Sequence, residues 1–331
     1  MALTEMTTQD EFAWANPALQ ELLRTDPAAV LKGRGVGVPA DMPVPLIHEF
    51  VRIVSLLWVD GRVVPVDQFH IDPADEGLLF GRGVWESTRT VDGIPWLWTL
   101  HLDRLRQSAE VLGIDLAPDR LPDAERVKAH VRGLTTQDVV VRLNATAGRP
   151  GQPGLVWMST APQTPRPQSV RLRTVRNPVR KGQAYLVLKT FQYATRLRIG
   201  QEAARDGFDT ALLVDDDGNL LEAAHANLFV RLPDGWATPP ADGGLLPGTV
   251  RHVLLSASPL PIREQTIPQA LLGEVREAFV TNSNIGIVPV TGIDGYTYPI
   301  GSETQTLTRW LEPPAPAGTR YLFVNKLPTR R

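Results

Sequence analysis

Apolar residues at Leu102, Leu105, Ala109 and Leu112 step by three, four and three positions, one face of an α-helix, and Gly113 follows as a terminator. His101, Arg104 and Ser108 fall on a neighbouring face of that helix. Elsewhere the pattern shortens. Apolar runs at 53–59 and 63–66 flank Asp60-Gly61, runs at 89–91 and 94–98 flank Asp92-Gly93, and runs at 211–214 and 220–222 flank Asp217-Gly218. Asp-Gly supplies the positive φ values of a tight hairpin, so three hairpins are predicted. Continuous apolar stretches at 139–145, 155–160, 170–175, 185–191 and 278–281 read as buried strands, and helices are predicted over 17–31, over 195–206 and from about Thr249. Between 33 and 45, glycine and proline are too dense for helix or strand to persist.

Polar residues with Pro162, Pro165 and Pro167 mark 161–169 as a linker. The expected organisation is an appended arm (1–50), a small α/β domain (51–160), the linker, a large domain (170–312) and a Pro-rich tail (313–331) whose apolar patch at 321–324 packs back. The arm is expected to wrap a neighbouring subunit or cover a cleft. No internal repeat or low-complexity tract interrupts this order.

Composition narrows the class of function. A hydrophobic fraction of 43% over 331 residues supports a substantial core and excludes a disordered or fibrous chain. Thirty-four cations against 36 anions leave a net charge of -2 without charged blocks, which excludes a nucleic-acid footprint. With no cysteine, disulfides, thiolate metal sites and cysteine nucleophiles are excluded together, and no metal site is expected. No apolar run approaches membrane-spanning length, and residues 1–13 lack a secretory pattern, so a soluble cytoplasmic protein is expected. Only five residues are lysines, Lys32, Lys128, Lys181, Lys189 and Lys326, so chemistry that needs an amine has few candidates.

Three sites carry candidate chemistry. Lys189 lies inside an apolar strand pattern: either the strand is an edge and the amine reaches solvent, or the amine is desolvated and suited to condense with an aldehyde. Glu222 precedes a run of small residues, Ala223, Ala224 and Ala226, with room for a flat ligand; it is either a solvated strand-end carboxylate or the partner of a protonated ring nitrogen. Pro247-Gly248 stands before a helical pattern whose first amides can face an anion, with Arg104 and Ser283 as further candidate ligands.

Four ordered segments then line up with a family. They are Gly77-Leu-Leu-Phe-Gly-Arg-Gly-Val-Trp-Glu86 with His101-Leu-Asp-Arg104; Leu188-Lys189-Thr190 with Tyr193; Leu221-Glu222 through Asn227-Leu-Phe229; and Leu246-Pro-Gly-Thr-Val-Arg251 followed by 280–290. Together they resemble the fold-type-IV pyridoxal-phosphate (PLP) enzymes, which include branched-chain and D-amino-acid aminotransferases, (R)-selective amine transaminases and aminodeoxychorismate lyase. The likeness runs from about Leu57 to Gly295.

The resemblance implies a mixed α/β (α+β) two-domain fold, a homodimer, and PLP in the interdomain cleft. It further implies that Lys189 carries the cofactor and moves the substrate proton, and that Glu222 pairs with the ring nitrogen. Tyr193 would meet the 3′-oxygen, while Arg104, the amides of Thr249 and Val250, and Ser283 would hold the phosphate. On the substrate side, Arg142 occupies the place of a carboxylate-binding arginine, although Val140 replaces the tyrosine that accompanies it. Arg149 stands near the position of a basic pair in the D-amino-acid enzymes, and Trp85 where relatives carry Tyr or Phe. The implied activity is transfer of an amino group between an amino acid or amine and a 2-oxo acid. The alternative is aminodeoxychorismate lyase, releasing pyruvate and 4-aminobenzoate, since 281–290 looks closer to the lyase-like members. A non-catalytic binding protein is a third reading, weakened because a lysine, an acid and a phosphate cup are all present in candidate form.

Overall fold

The computed structural model describes residues 14–33, 42–163, 165–177, 188–242 and 244–312. Two compact units result: one holds the chain up to Trp98 and returns for Ala109–Thr164, the other holds Thr99–Ser108 and the chain from Pro165 on.

In the first unit, α1 (Pro17–Thr25) opens at Asn16, whose side chain accepts the Leu19 amide at 2.9 Å. Helices α2 (Pro27–Gly33) and α3 (Val44–Ser55) follow, and Leu23, Leu31, Ile47 and Val51 from the three helices bury one small core. Here the sequence reading is corrected twice. Pro45 does not interrupt structure but sits in the first turn of α3, where no intrahelical N–H is needed. Residues 53–55 are helix, and the strand β1 (Leu56–Val59) starts only at Leu56. Helix α3 runs through position 50 and packs on β1 and on the strand over 156–162 of the unit's sheet, with Thr160 Oγ1 donating to the Ile53 carbonyl at 2.5 Å.

After β2 (Arg62–Pro65) come α4 (Glu76–Phe80), β3 (Gly83–Val91), β4 (Ile94–Pro95), α6 (Ala124–Leu134), β5 (Val139–Thr146) and β6 (Val156–Pro162); α5 (Trp98–Val111), which lies between β4 and α6 in the chain, gives its Thr99–Ser108 to the second unit. The six strands form an antiparallel sheet in the order β2-β1-β6-β5-β3-β4. Asp60 and Gly61 at φ 42° and 88°, and Asp92 and Gly93 at 53° and 76°, make the two expected turns. Val84, Val141, Leu143 and Met158 bury one face. The opposite face pairs Trp85 with Asn144 and Ser87 with Arg142. Strand β6 continues to Pro162, so the first two residues of the expected linker are strand. Helix α5 ends as anticipated, with Gly113 at φ 61° and the Ile114 amide returning to the Ala109 carbonyl.

The second unit contains β7 (Val170–Arg176), α7 (Ala194–Arg205), β8 (Thr210–Val214), β9 (Leu220–Ala223), β10 (Ala226–Leu232) and β11 (Gly235–Thr238). It continues with α8 (Thr249–Ala257), β12 (Ile262–Glu264), β13 (Glu277–Asn282), β14 (Gly286–Ile293), β15 (Tyr296–Thr297) and α9 (Ser302–Leu311). The sheet order is β12-β11-β10-β13-β14-β7-β8-β9, and β9 also pairs with β10, so six strands close on themselves. Leu172, Leu212, Leu228, Val280 and Val288 lie in their shared core, while Ile199 and Ala203 of α7 cover Ala211 and Leu213. A strand over 185–191 is not found: 185–187 lie outside the described residues, and 188–191 form no strand beyond an isolated bridge at Thr190. The patch at 321–324 and the tail from 313 also lie outside them.

Candidate active site

Closure of the strand ring places three side chains in one row. Glu222 on β9 pairs with Asn227 on β10, which pairs with Thr281 on β13. The Glu222 carboxylate is only 2% exposed, so it needs donors. It accepts from Arg196 Nη2 at 2.5 Å, the Leu246 amide at 3.1 Å and Asn227 Nδ2 at 3.2 Å. Asn227 Nδ2 also reaches the Leu246 carbonyl at 2.8 Å, which ties the 246–248 loop to the sheet. Gly248 is required at that junction, because a Cβ there would stand 2.0 Å from Asn227 Oδ1.

The loop leads into α8, whose N-cap Gly248 contributes no side chain and leaves the first amides of the helix uncapped. Arg104, 8% exposed on α5, donates Nη1 to the Pro247 carbonyl at 2.9 Å. One turn earlier His101, fully buried, lies 3.3 Å from Thr249 Oγ1 through Nε2. Both residues share the face of α5 marked in the sequence.

Arg104, Glu222, Asn227 and the start of α8 line one pocket of about 560 Å³ of empty space with Lys189, Tyr193, His225 and Ser283. Lys189 is half-buried in a loop, and its Nζ stands 6.0 Å from the Tyr193 ring centroid. The Tyr193 hydroxyl is 2.8 Å from His225 Nδ1, and the two rings stack at 5.6 Å. Burial above all, then the charges of Arg196 and Lys189, hold the His225 pKa below its usual value. Burial opposes the charge of Arg196, but Glu222 outweighs it and raises the guanidinium's pKa.

The pocket therefore unites all seven cofactor-side residues expected from sequence: Arg104, Lys189, Tyr193, Glu222, Thr249, Val250 and Ser283. Trp85, Arg142 and Arg149, the residues expected from sequence to meet substrate, lie in the first unit. There the Arg142 guanidinium covers the Trp85 ring at 3.8 Å and donates Nε to Asn144 Oδ1 at 3.0 Å, whereas Arg149 is ion-paired with Asp72. Sequence reasoning missed the roles of Arg196, His225 and Asn227. A signal existed for Arg196: a cation in the first turn of a helix opposes the helix dipole and calls for a compensating anion.

The donor set suits pyridoxal phosphate. Arg104, Lys189 and Arg196 with the uncapped start of α8 outweigh one carboxylate, the balance a bound dianion requires, and a primary amine and an acid face the same space. Pocket and fold together define a PLP enzyme of fold type IV.

Within that class, the chain belongs to the amino-transferase class IV family, whose model matches residues 83–293. It is 27% identical to a putative branched-chain-amino-acid aminotransferase of Methanocaldococcus jannaschii over 254 residues, 72% of this chain and 88% of that protein. To the aminodeoxychorismate lyase of Bacillus subtilis it is 26% identical over 275 residues, 78% of this chain and 92% of that one. The fold is shared with the branched-chain aminotransferase of Thermoproteus uzoniensis solved with norvaline, at a TM-score of 0.70 and 24% identity, covering 78% of this chain and 93% of that one. The protein is a PLP-dependent transaminase. Among the described residues no helix is long and apolar enough to cross a membrane.

Proposed function

We propose that the chain moves an amino group between an amino acid or amine and a 2-oxo acid as a cytoplasmic homodimer, with Lys189 as its catalytic residue. The observation that carries the reading is the convergence of Lys189, Glu222, Arg104, Ser283 and the open end of α8 on one pocket. PLP, when bound, supplies an electron sink for the carbanion that deprotonation of the substrate leaves.

The chain's own residues do the rest. Lys189 would hold the cofactor and, at Nζ, take and return the substrate's α-proton. Glu222 would meet the ring nitrogen and Tyr193 the ring oxygen. Arg104, Ser283 and the amides of Thr249 and Val250 would fix the phosphate, a charge-assisted contact joined to a helix terminus. On the substrate side Arg142 is the proposed carboxylate contact, kept flat by Trp85 and turned by Asn144, with Trp85 and Arg149 as further contacts.

The likeness to the Bacillus subtilis lyase supports a second reading, in which the same lysine serves release of pyruvate and 4-aminobenzoate from aminodeoxychorismate. One experiment separates them. Transamination predicts that the reconstituted protein changes its absorption when given an amino donor alone and regains it with a 2-oxo acid. Pyruvate formed from aminodeoxychorismate without any acceptor, beside spectral silence toward a broad donor panel, would replace the first reading with the second.

A further inference from the structure

Arg196 is the third residue of α7, a position where the helix dipole disfavours a cation, and the first turn of that helix holds no acid. Its side chain is 18% exposed, so it does not snorkel to water. Nη2 donates to Glu222 Oε1 at 2.5 Å and Nη1 to the Ala224 carbonyl at 3.3 Å, so one planar group grips both the acid and the backbone two residues beyond it. Among the described residues the remaining donors on Glu222, Asn227 and the Leu246 amide, are neutral. Arg196 also lines the pocket beside Lys189 and His225.

We propose that Arg196 is a positioning residue for the transfer reaction: it clamps Glu222 so that the carboxylate presents a fixed, charged acceptor to the ring nitrogen of the cofactor. The inference rests on the PLP reading of this pocket and adds to it a determinant of how strongly the ring draws electrons. An unclamped carboxylate, held by Asn227 and the Leu246 amide alone, has more freedom to turn from the ring, and the loss falls on the proton-transfer step and not on substrate binding.

The test compares wild type, Arg196→Met and Arg196→Lys as purified apoenzymes reconstituted with PLP. Cofactor absorption is recorded across pH, PLP affinity by quenching of protein fluorescence, the apoenzyme melting temperature, and kcat and KM for one amino donor. The expected result for Arg196→Met is a displaced pH titration of the cofactor band and kcat lowered on the order of 10- to 100-fold, with KM within about threefold of wild type. Arg196→Lys, which keeps the charge, recovers most of both. A Met variant with wild-type titration and kcat overturns the proposal. So does a Lys variant as impaired as the Met variant, which would mark shape and not charge as the requirement. If the Met variant does not fold, the Lys variant decides: titration and kcat near wild type support the clamp, and their loss at an unchanged melting temperature overturns it. A wild-type protein that takes up no PLP refutes the reading of the pocket itself, a result distinct from a loaded wild type beside an indistinguishable Met variant.

Discussion

His130 on α6 is 5% exposed, and neither ring nitrogen has a hydrogen-bond partner among the described residues. Burial lowers its pKa from 6.5 to about 4, so the folded chain holds the neutral ring while the unfolded chain takes a proton as soon as the pH falls through 6.5. The stability contributed by this difference is present above pH 6.5 and is lost progressively down to about pH 4. At about 1.36 kcal/mol per pKa unit the full loss is about 3 kcal/mol, of which about 2 kcal/mol is gone by about pH 5. His130→Leu removes both the titration and two unsatisfied polar atoms. Its urea unfolding is therefore expected to be less pH-dependent than wild type by about 2 kcal/mol between about pH 8 and about pH 5, and at neutral pH it is expected to match or exceed wild-type stability. Tryptophan fluorescence is a suitable probe, because Trp14, Trp58, Trp85, Trp96, Trp98 and Trp157 belong to the unit that contains His130, against Trp236 and Trp310 in the other. Equal pH dependence in the two proteins would refute the assignment of a buried neutral imidazole.

Two lesions of the anion cup are expected to act alike on cofactor retention. Gly248→Ala drives a methyl group into Asn227 and frees both the Leu246 carbonyl and one donor on Glu222, costing about 1–3 kcal/mol and weakening PLP binding about tenfold or more. Arg104→Met removes the charged ligand and leaves the Pro247 carbonyl without its donor, with a loss of PLP affinity at least as large; fluorescence titration of the apoenzymes checks both, and wild-type affinity in either contradicts the cup.

Much of this was legible because the relevant signals are local. Asp60-Gly61 and Asp92-Gly93 state their φ requirement in two residues, whereas at Asp217-Gly218 only the glycine has positive φ; Gly113 ends α5 by the same chemistry. The helical spacing of Leu102 to Leu112 also fixed where Arg104 would face. What failed were places where tertiary context outranks pattern. Residues 53–55 are apolar enough for a strand, yet they finish α3 because its Ile47 and Val51 already pack against α1 and α2. The Glu222 clamp was invisible for another reason: Arg196, Asn227 and Leu246 come from separate segments that meet only when β9 closes onto β10.

The claim on which the account turns is that Lys189 carries the cofactor. Borohydride reduction of the PLP-loaded protein, followed by proteolysis and peptide mapping, tests it directly. The account predicts one phosphopyridoxyl group on Lys189 and none on a Lys189→Ala variant; a label on Lys32, Lys128, Lys181 or Lys326 instead, or no label at all, would contradict it.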